Sequence, residues 1–108
     1  MGLFDRFRRK SRPGMLRTAS NQDTSHLAQW AASRHGVEAY VEPRTTVTET
    51  TVVLVAHDGE WTRRRVASPD AARTFARKLG MPIYDAAIVG YPKRMRDYTS
   101  RKKAAGDR

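Results

Sequence analysis

The 108-residue chain contains no cysteine, and its longest apolar run is the five residues from Val52 to Ala56. The absence of thiols excludes disulfide bonds, thiolate zinc sites and cysteine nucleophiles. A transmembrane helix needs about 20 consecutive apolar residues, which this sequence does not provide. The first residues have neither the apolar centre nor the cleavage site of a signal peptide. These absences lead us to expect a cytoplasmic protein.

Motifs for catalysis and cofactor binding are also missing. The glycines form no phosphate-binding loop, and no serine occupies a Gly-x-Ser-x-Gly motif. None of the three histidines, His26, His35 and His57, has a histidine or carboxylate four residues away that would complete a metal-binding pair on a helix. We therefore expect a protein without a cofactor or metal and without enzymatic activity.

The positive charge of the chain is concentrated at its two ends. Residues 1–20 carry a net charge of +5, residues 21–92 are neutral, and residues 93–108 carry +5. Such basic ends attract polyanions, namely nucleic acid, a ribosomal surface or anionic lipid. A composition biased toward arginine, which supplies 16 of the 21 basic residues, is the alternative explanation. The composition divides the chain into a flexible, basic, partly amphipathic segment (1–21), one α+β domain (22–92) and a basic C-terminal helix or tail (93–108).

Two runs rich in β-branched residues, 46–56 and 61–66, flank the dipeptide Asp58-Gly59 and predict a β-hairpin. A tight turn at this dipeptide places Leu54 opposite Arg63 and Val52 opposite Arg65. Apolar residues on both faces of the first strand predict a central strand, and three consecutive arginines predict that the second is an edge strand.

Further elements follow from hydrophobic spacing and capping residues. Asp23 or Thr24 begins a predicted helix that ends near Gly36 and buries Leu27 and Trp30. A strand follows, with Val37, Ala39 and Val41 facing inward. A second helix begins at Ser68-Pro69-Asp70 and ends at Gly80. The run Ala86–Val89 predicts a short buried strand, and a tail helix packs through Met95 and Tyr98.

The predicted fold is an α+β two-layer sandwich in the order α-β-β-β-α-β-α, with a mostly antiparallel sheet and the helices on one face. On this sheet, Arg63 and Arg65 share one face because side chains alternate along a strand. If that face also carries Trp61 and Tyr40, it offers cations among aromatic rings, which suits nucleic acid. The alternative is that the arginines pair with Glu38, Glu42 or Glu49 across the sheet.

These observations predict a small module that binds nucleic acid, with RNA or a ribonucleoprotein surface favoured over a specific DNA site. The predicted phosphate contacts are Arg63, Arg65, Lys93, Arg94, Arg96, Arg101, Lys102 and Lys103. Two alternatives remain open. Leu3, Phe4 and Phe7 lie on one side of a short helix with basic residues around the other, which is typical of a segment bound to an anionic membrane surface. The threonine-rich edge of the hairpin is the basis for a protein–protein adaptor.

The run Val41-Glu42-Pro43-Arg44-Thr45, the segment from Asp58 to Arg65, and the motifs Tyr84-Asp85-Ala86 and Val89-Gly90-Tyr91-Pro92 resemble a family of small, uncharacterised actinobacterial proteins. The resemblance covers most of the predicted domain and implies a shared fold and a cytoplasmic bacterial origin. The order helix, three strands, helix is also similar to that of double-stranded-RNA-binding domains. Those domains begin their second helix with a Lys-Lys-x-Ala-Lys run, whereas this chain has Asp70 there, so we do not expect duplex binding in that mode.

The membrane alternative has a direct test. If the N-terminal segment is an independent anchor, deletion of residues 1–12 abolishes sedimentation with anionic vesicles and leaves RNA binding intact. Unchanged vesicle binding after the deletion rules out Leu3, Phe4 and Phe7 as the anchor.

Overall fold

The computed structural model describes residues 21–106. This part of the chain forms α1 (Asn21–Ala32), β1 (Glu38–Glu42), β2 (Thr51–Val55), β3 (Trp61–Arg65), α2 (Pro69–Leu79), β4 (Ile83–Asp85), α3 (Ala86–Val89) and α4 (Lys93–Ala104). The predicted α+β class and element order are confirmed, with the single turn of α3 added before the last helix. The predicted N-terminal helix with Leu3, Phe4 and Phe7 lies outside the described residues.

The strands form one sheet in the order β3-β2-β1-β4. β1 pairs with β2 in the antiparallel sense and with β4 in the parallel sense, and β2 pairs with β3 in the antiparallel sense. The sheet is therefore mostly antiparallel, as predicted. β2 is central and β3 is an edge strand, in agreement with their apolar and basic sequences.

The first face of the sheet carries the larger core, and α1 and α2 pack on it as predicted for two amphipathic helices. Its buried side chains include Leu27, Trp30, Ala39, Val41, Val52, Leu54, Ala72 and Ala76. Val37 and Phe75 are partly buried against them. Burial of one aliphatic side chain stabilises the folded state by about 1.5–3 kcal/mol, so the packing of α1 and α2 on the sheet depends mainly on this apolar cluster.

Local capping determines where α2 begins and ends. The Ser68 side chain accepts a hydrogen bond from the Ala71 amide, and Pro69 occupies the first turn. At the other end, Gly80 has φ +70° and donates its amide to the carbonyls of Ala76 and Arg77. Both predicted ends are confirmed, because each depends on residues adjacent in the sequence.

Two local predictions are wrong. The first helix already includes Asn21, so Asp23 and Thr24 lie within its first turn and do not cap it. The run Ala86–Val89 forms a helical turn and not a buried strand, because the Asp85 carboxylate accepts a hydrogen bond from the Ala87 amide at 2.8 Å and caps that turn. A short apolar run has no period that separates a strand from a helix.

The hairpin is confirmed, but its loop has three residues, 57–59. The Ala56 amide donates to the Glu60 carbonyl at 2.8 Å, and the Gly59 amide donates back to the Ala56 carbonyl at 3.0 Å. Gly59 has φ +96°, which is typical of the glycine in a bulge next to a turn. The loop is therefore one residue longer than the tight turn predicted from Asp58-Gly59.

The longer loop shifts the register of β3 by one residue. Arg63 lies opposite Val53 and Arg65 lies opposite Thr51, so the predicted pairings with Leu54 and Val52 are wrong. A shift of one residue moves every side chain of a strand to the other face. Trp61, Arg63 and Arg65 consequently lie on the second face of the sheet, away from α1 and α2.

The C-terminal helix α4 packs on this second face, so the prediction that the helices lie on one face of the sheet holds for α1 and α2 but is wrong for α4. The reason is that β1 and β2 carry large apolar side chains on both faces, and the second face is therefore also covered. Tyr40, Val53 and Val55 form a small buried cluster there, and Met95 of α4 packs against it, as predicted for the tail helix. Tyr98, the other residue predicted to pack, is half-buried.

The hairpin loop holds α4 through its backbone. Arg94 donates from Nε to the Ala56 carbonyl at 2.9 Å, and Arg101 donates from Nη2 to the Asp58 carbonyl at 2.9 Å. A Cβ atom added to Gly59 would lie 2.0 Å from the Arg94 carbonyl oxygen and 2.8 Å from Tyr98 Cβ. The absence of a side chain at Gly59 therefore permits α4 to dock.

This contact predicts unequal effects of two glycine substitutions. Gly80→Ala strains the backbone but meets nothing within 4 Å, so we expect a loss of about 1 kcal/mol. Gly59→Ala adds a clash with α4 to similar strain and should cost about 3 kcal/mol or more. Urea denaturation of both variants measures the difference, and equal losses would show that α4 does not depend on the close approach at Gly59.

Candidate nucleic-acid interface

Basic and aromatic side chains meet where β3 faces α4. The Arg63 guanidinium lies 5.3 Å from the centre of the Trp61 ring, and Arg65 is exposed on the same side of β3. A groove of about 350 Å³ separates the strand from the helix and is called the β3–α4 groove below. It is lined by Trp61, Tyr91, Met95, Arg96, Thr99 and Ser100. The face with Trp61 and Tyr40 is thus the face that carries Arg63 and Arg65.

The carboxylate of Glu42 is bound by three neighbouring side chains. Arg63 donates from Nε and Nη2 to its two oxygens at 2.8 and 3.0 Å, and the hydroxyls of Thr51 and Tyr91 donate to it as well. Burial raises the pKa of Glu42, but these hydrogen bonds outweigh that effect and hold its pKa below the ordinary value. For Arg63, therefore, the ion pair predicted as the alternative to anion binding is present.

A second ion pair joins the sheet to α4. Arg94 donates from Nη2 to Glu38 Oε1 at 2.7 Å, and the Tyr40 hydroxyl donates to the same oxygen at 3.0 Å. The hydrogen bond from Arg94 lowers the pKa of Glu38 and outweighs the opposing effect of burial. Burial and the hydrogen bond to Glu38 raise the pKa of Tyr40 to about 12.

The predicted phosphate contacts fall into groups with different surroundings. Arg63 pairs with Glu42, Lys93 with Asp97, Arg94 with Glu38, and Arg101 with the Asp58 carbonyl. Lys102 and Arg65 are exposed, and the Lys102 ammonium lies 5.7 Å from the centre of the Tyr98 ring. Arg96 and Lys103 are exposed and form no ion pair with any residue between 21 and 106. These last two residues are separated by two helical turns and lie on one side of α4.

Sequence reasoning missed the contribution of the tyrosines to this surface. The Tyr40 ring lies 5.4 Å from that of Tyr84 and 5.9 Å from that of Tyr91, measured between ring centres. These contacts position Tyr91, whose hydroxyl binds Glu42 and whose ring lines the β3–α4 groove. Tyr91 is 30 residues from Trp61, and no local pattern relates the two.

The histidines have ordinary polar contacts. His26 Nε2 lies 3.0 Å from the Thr62 hydroxyl oxygen, and the His35 and His57 rings are 6.0 Å apart. Within residues 21–106, no group of three histidine or carboxylate side chains is arranged to hold a metal ion.

Burial of Tyr40 and its hydrogen bond to Glu38 predict that the Tyr40 hydroxyl loses its proton only at high pH. Because the folded pKa is raised above the ordinary value of 10, the stability that Tyr40 contributes is complete below pH 10 and is lost as pH rises through about 12. Absorbance titration should show a tyrosine with a pKa of about 12 that Tyr40→Phe removes and Glu38→Gln shifts to lower pH. Persistence of that step in Tyr40→Phe would contradict the assignment.

No protein-family model, curated protein or solved structure matches the sequence or the fold. In the described part of the chain, no helix combines the length and the apolar character needed to cross a membrane. Conclusions about function therefore depend on the geometry and charge of the surface between β3 and α4.

Proposed function

We propose that the chain is a small, non-enzymatic, cytoplasmic RNA-binding module whose contact surface is formed by β3 and α4. The proposal rests mainly on one observation. The register of the hairpin places Trp61, Arg63 and Arg65 on the face that α4 covers. Basic residues separated by about 30 positions in the sequence thus border one aromatic groove.

Arg96 and Lys103 are the principal phosphate contacts in this proposal. Both are exposed on the same side of α4, and neither is held in an ion pair by residues 21–106. A phosphate bound by them displaces water and counterions without breaking an ion pair among residues 21–106.

The remaining basic residues have different roles in this proposal. Arg94 and Arg101 hold α4 against the hairpin and the sheet, so we assign them a structural role. Arg63 remains 44% exposed in its pair with Glu42 and lies against the Trp61 ring. It adds positive potential beside the groove, and its guanidinium can bind a phosphate in place of water on its exposed side. Arg65 and Lys102 add exposed positive charge on either side of the groove.

Aromatic rings among the cations favour RNA over a specific DNA site. RNA loops, bulges and ends expose the faces of unpaired bases, which stack on aromatic side chains. A specific DNA site, by contrast, is read through base edges in the major groove by a projecting helix or ribbon. α4 does not project in this way, because it lies against the sheet with Met95 packed on the cluster of Tyr40, Val53 and Val55.

Two matched double variants test the proposal. Arg96→Gln with Lys103→Gln removes two charges from the proposed surface, and Arg77→Gln with Lys78→Gln removes two exposed charges from α2. Each lost phosphate contact should reduce the slope of log affinity against log salt by about 0.7 for a single strand. The α4 variant should therefore bind RNA more weakly, with a slope smaller by about 1.4.

Fluorescence anisotropy with labelled RNA at several salt concentrations measures both quantities. The α2 variant keeps the overall charge of the α4 variant, so it separates a local contact from a general electrostatic attraction. Equal losses in the two variants, or no RNA binding by the unmodified chain at low salt, would overturn the proposal.

A further inference from the structure

The β3–α4 groove has walls of different character. Trp61, Tyr91 and Met95 provide aromatic rings and a thioether, while Arg96 and the hydroxyls of Thr99 and Ser100 provide polar groups. The groove is a recess between a strand and a helix, in contrast to an aromatic platform on an open sheet. A flat, partly polar group is the shape and chemistry that such a recess accommodates.

The Trp61 ring is placed for stacking. It is half-buried, and its indole N–H lies 3.5 Å from the Thr99 hydroxyl, a contact that orients the ring toward the α4 side. The Arg63 guanidinium lies 5.3 Å from the ring centre. No aromatic ring elsewhere in residues 21–106 is in ring contact with Trp61.

We infer that this groove binds one unstacked nucleobase, so that the chain selects single-stranded over duplex RNA. This inference rests on the proposed RNA-binding function and names the form of RNA that it takes. Stacking of a base on an aromatic side chain contributes about 1–3 kcal/mol. Bases in an A-form duplex are stacked and paired, and side chains cannot read its deep, narrow major groove. Only a base that leaves the stack can enter a recess between two protein elements.

The surrounding charges orient the strand. Arg96 borders the recess itself, and Lys103 lies two turns further along the same side of α4. A phosphate next to a bound base therefore meets Arg96, and a phosphate further along the strand meets Lys103.

The Thr99 hydroxyl donates to the Met95 carbonyl at 3.1 Å and lies 3.5 Å from the Trp61 indole N–H, so the Ser100 hydroxyl is the group that can both donate to and accept from a bound base. Because a hydroxyl adapts to donors and acceptors alike, the site tolerates all four bases.

The test compares a single-stranded oligouridylate of about 16 nucleotides with a blunt-ended RNA duplex of about 16 base pairs formed from two complementary strands, which has no loop of unpaired bases. The single strand should bind roughly tenfold more tightly, and Trp61→Leu should remove about tenfold of single-strand affinity and so abolish the preference for the single strand over the duplex. Trp61→Phe, which keeps a ring, should retain part of the preference. Circular dichroism of each variant verifies that it folds.

A second measurement needs no variant. Oligouridylate should quench the tryptophan fluorescence of the unmodified chain, whereas the blunt-ended duplex at equal occupancy should not, because none of its bases leaves the stack to reach Trp61. The other tryptophan, Trp30 of α1, is buried against the first face of the sheet, so the change in fluorescence reports Trp61. Equal affinity for both RNAs, or equal quenching by both, overturns the single-strand inference and leaves the proposed function standing. Absence of binding to either RNA overturns both.

Discussion

The three-residue loop of the β2–β3 hairpin determines which side chains share a surface in this protein. With Gly59 at φ +96°, the loop sets the register that turns Trp61 and Arg63 to the second face and Thr62 to the first. The same glycine leaves room for the backbone of α4, which a Cβ atom would meet at 2.0 Å. The register of β3 and the docking of α4 thus both depend on one short loop. The β3–α4 groove forms because the loop permits both.

The ion pairs on the second face divide its basic residues by role. The pairs of Arg63 with Glu42 and of Arg94 with Glu38 are partly shielded from water, and a tyrosine hydroxyl binds each carboxylate. Loss of one partner from such a pair leaves the other charge poorly compensated, so these residues maintain the arrangement of sheet and helix. Arg96 and Lys103 of α4, by contrast, form no ion pair with any residue between 21 and 106. Between residues 93 and 106, the positive charge is therefore only partly neutralised by the rest of the described chain.

Features marked by strong capping residues or by a continuous apolar run were predictable from the sequence, whereas the start of α1, the four-residue run Ala86–Val89, and features that depend on one residue of spacing or on distant contacts were not. The ends of α2 follow from Ser68 and Gly80, and the central position of β2 follows from its continuous apolar run. Asp58-Gly59 suits both a two-residue and a three-residue hairpin loop, so the register was not determined by local residues. Alternation along β3 predicts that Arg63 accompanies Trp61, but not that a helix 30 residues later completes a groove beside them. That last relation is set by tertiary packing alone.

The three consecutive arginines, Arg63 to Arg65, lie on β3, an edge strand of the sheet. The outer edge of β3 has no neighbouring strand within the described sheet, so its backbone groups are a template for pairing with a strand of another molecule. Three successive guanidinium groups repel a second copy of the same edge and oppose self-association of this kind. The triplet thus protects the folded chain against aggregation, and that protection would favour arginine at these positions whatever anion the protein meets.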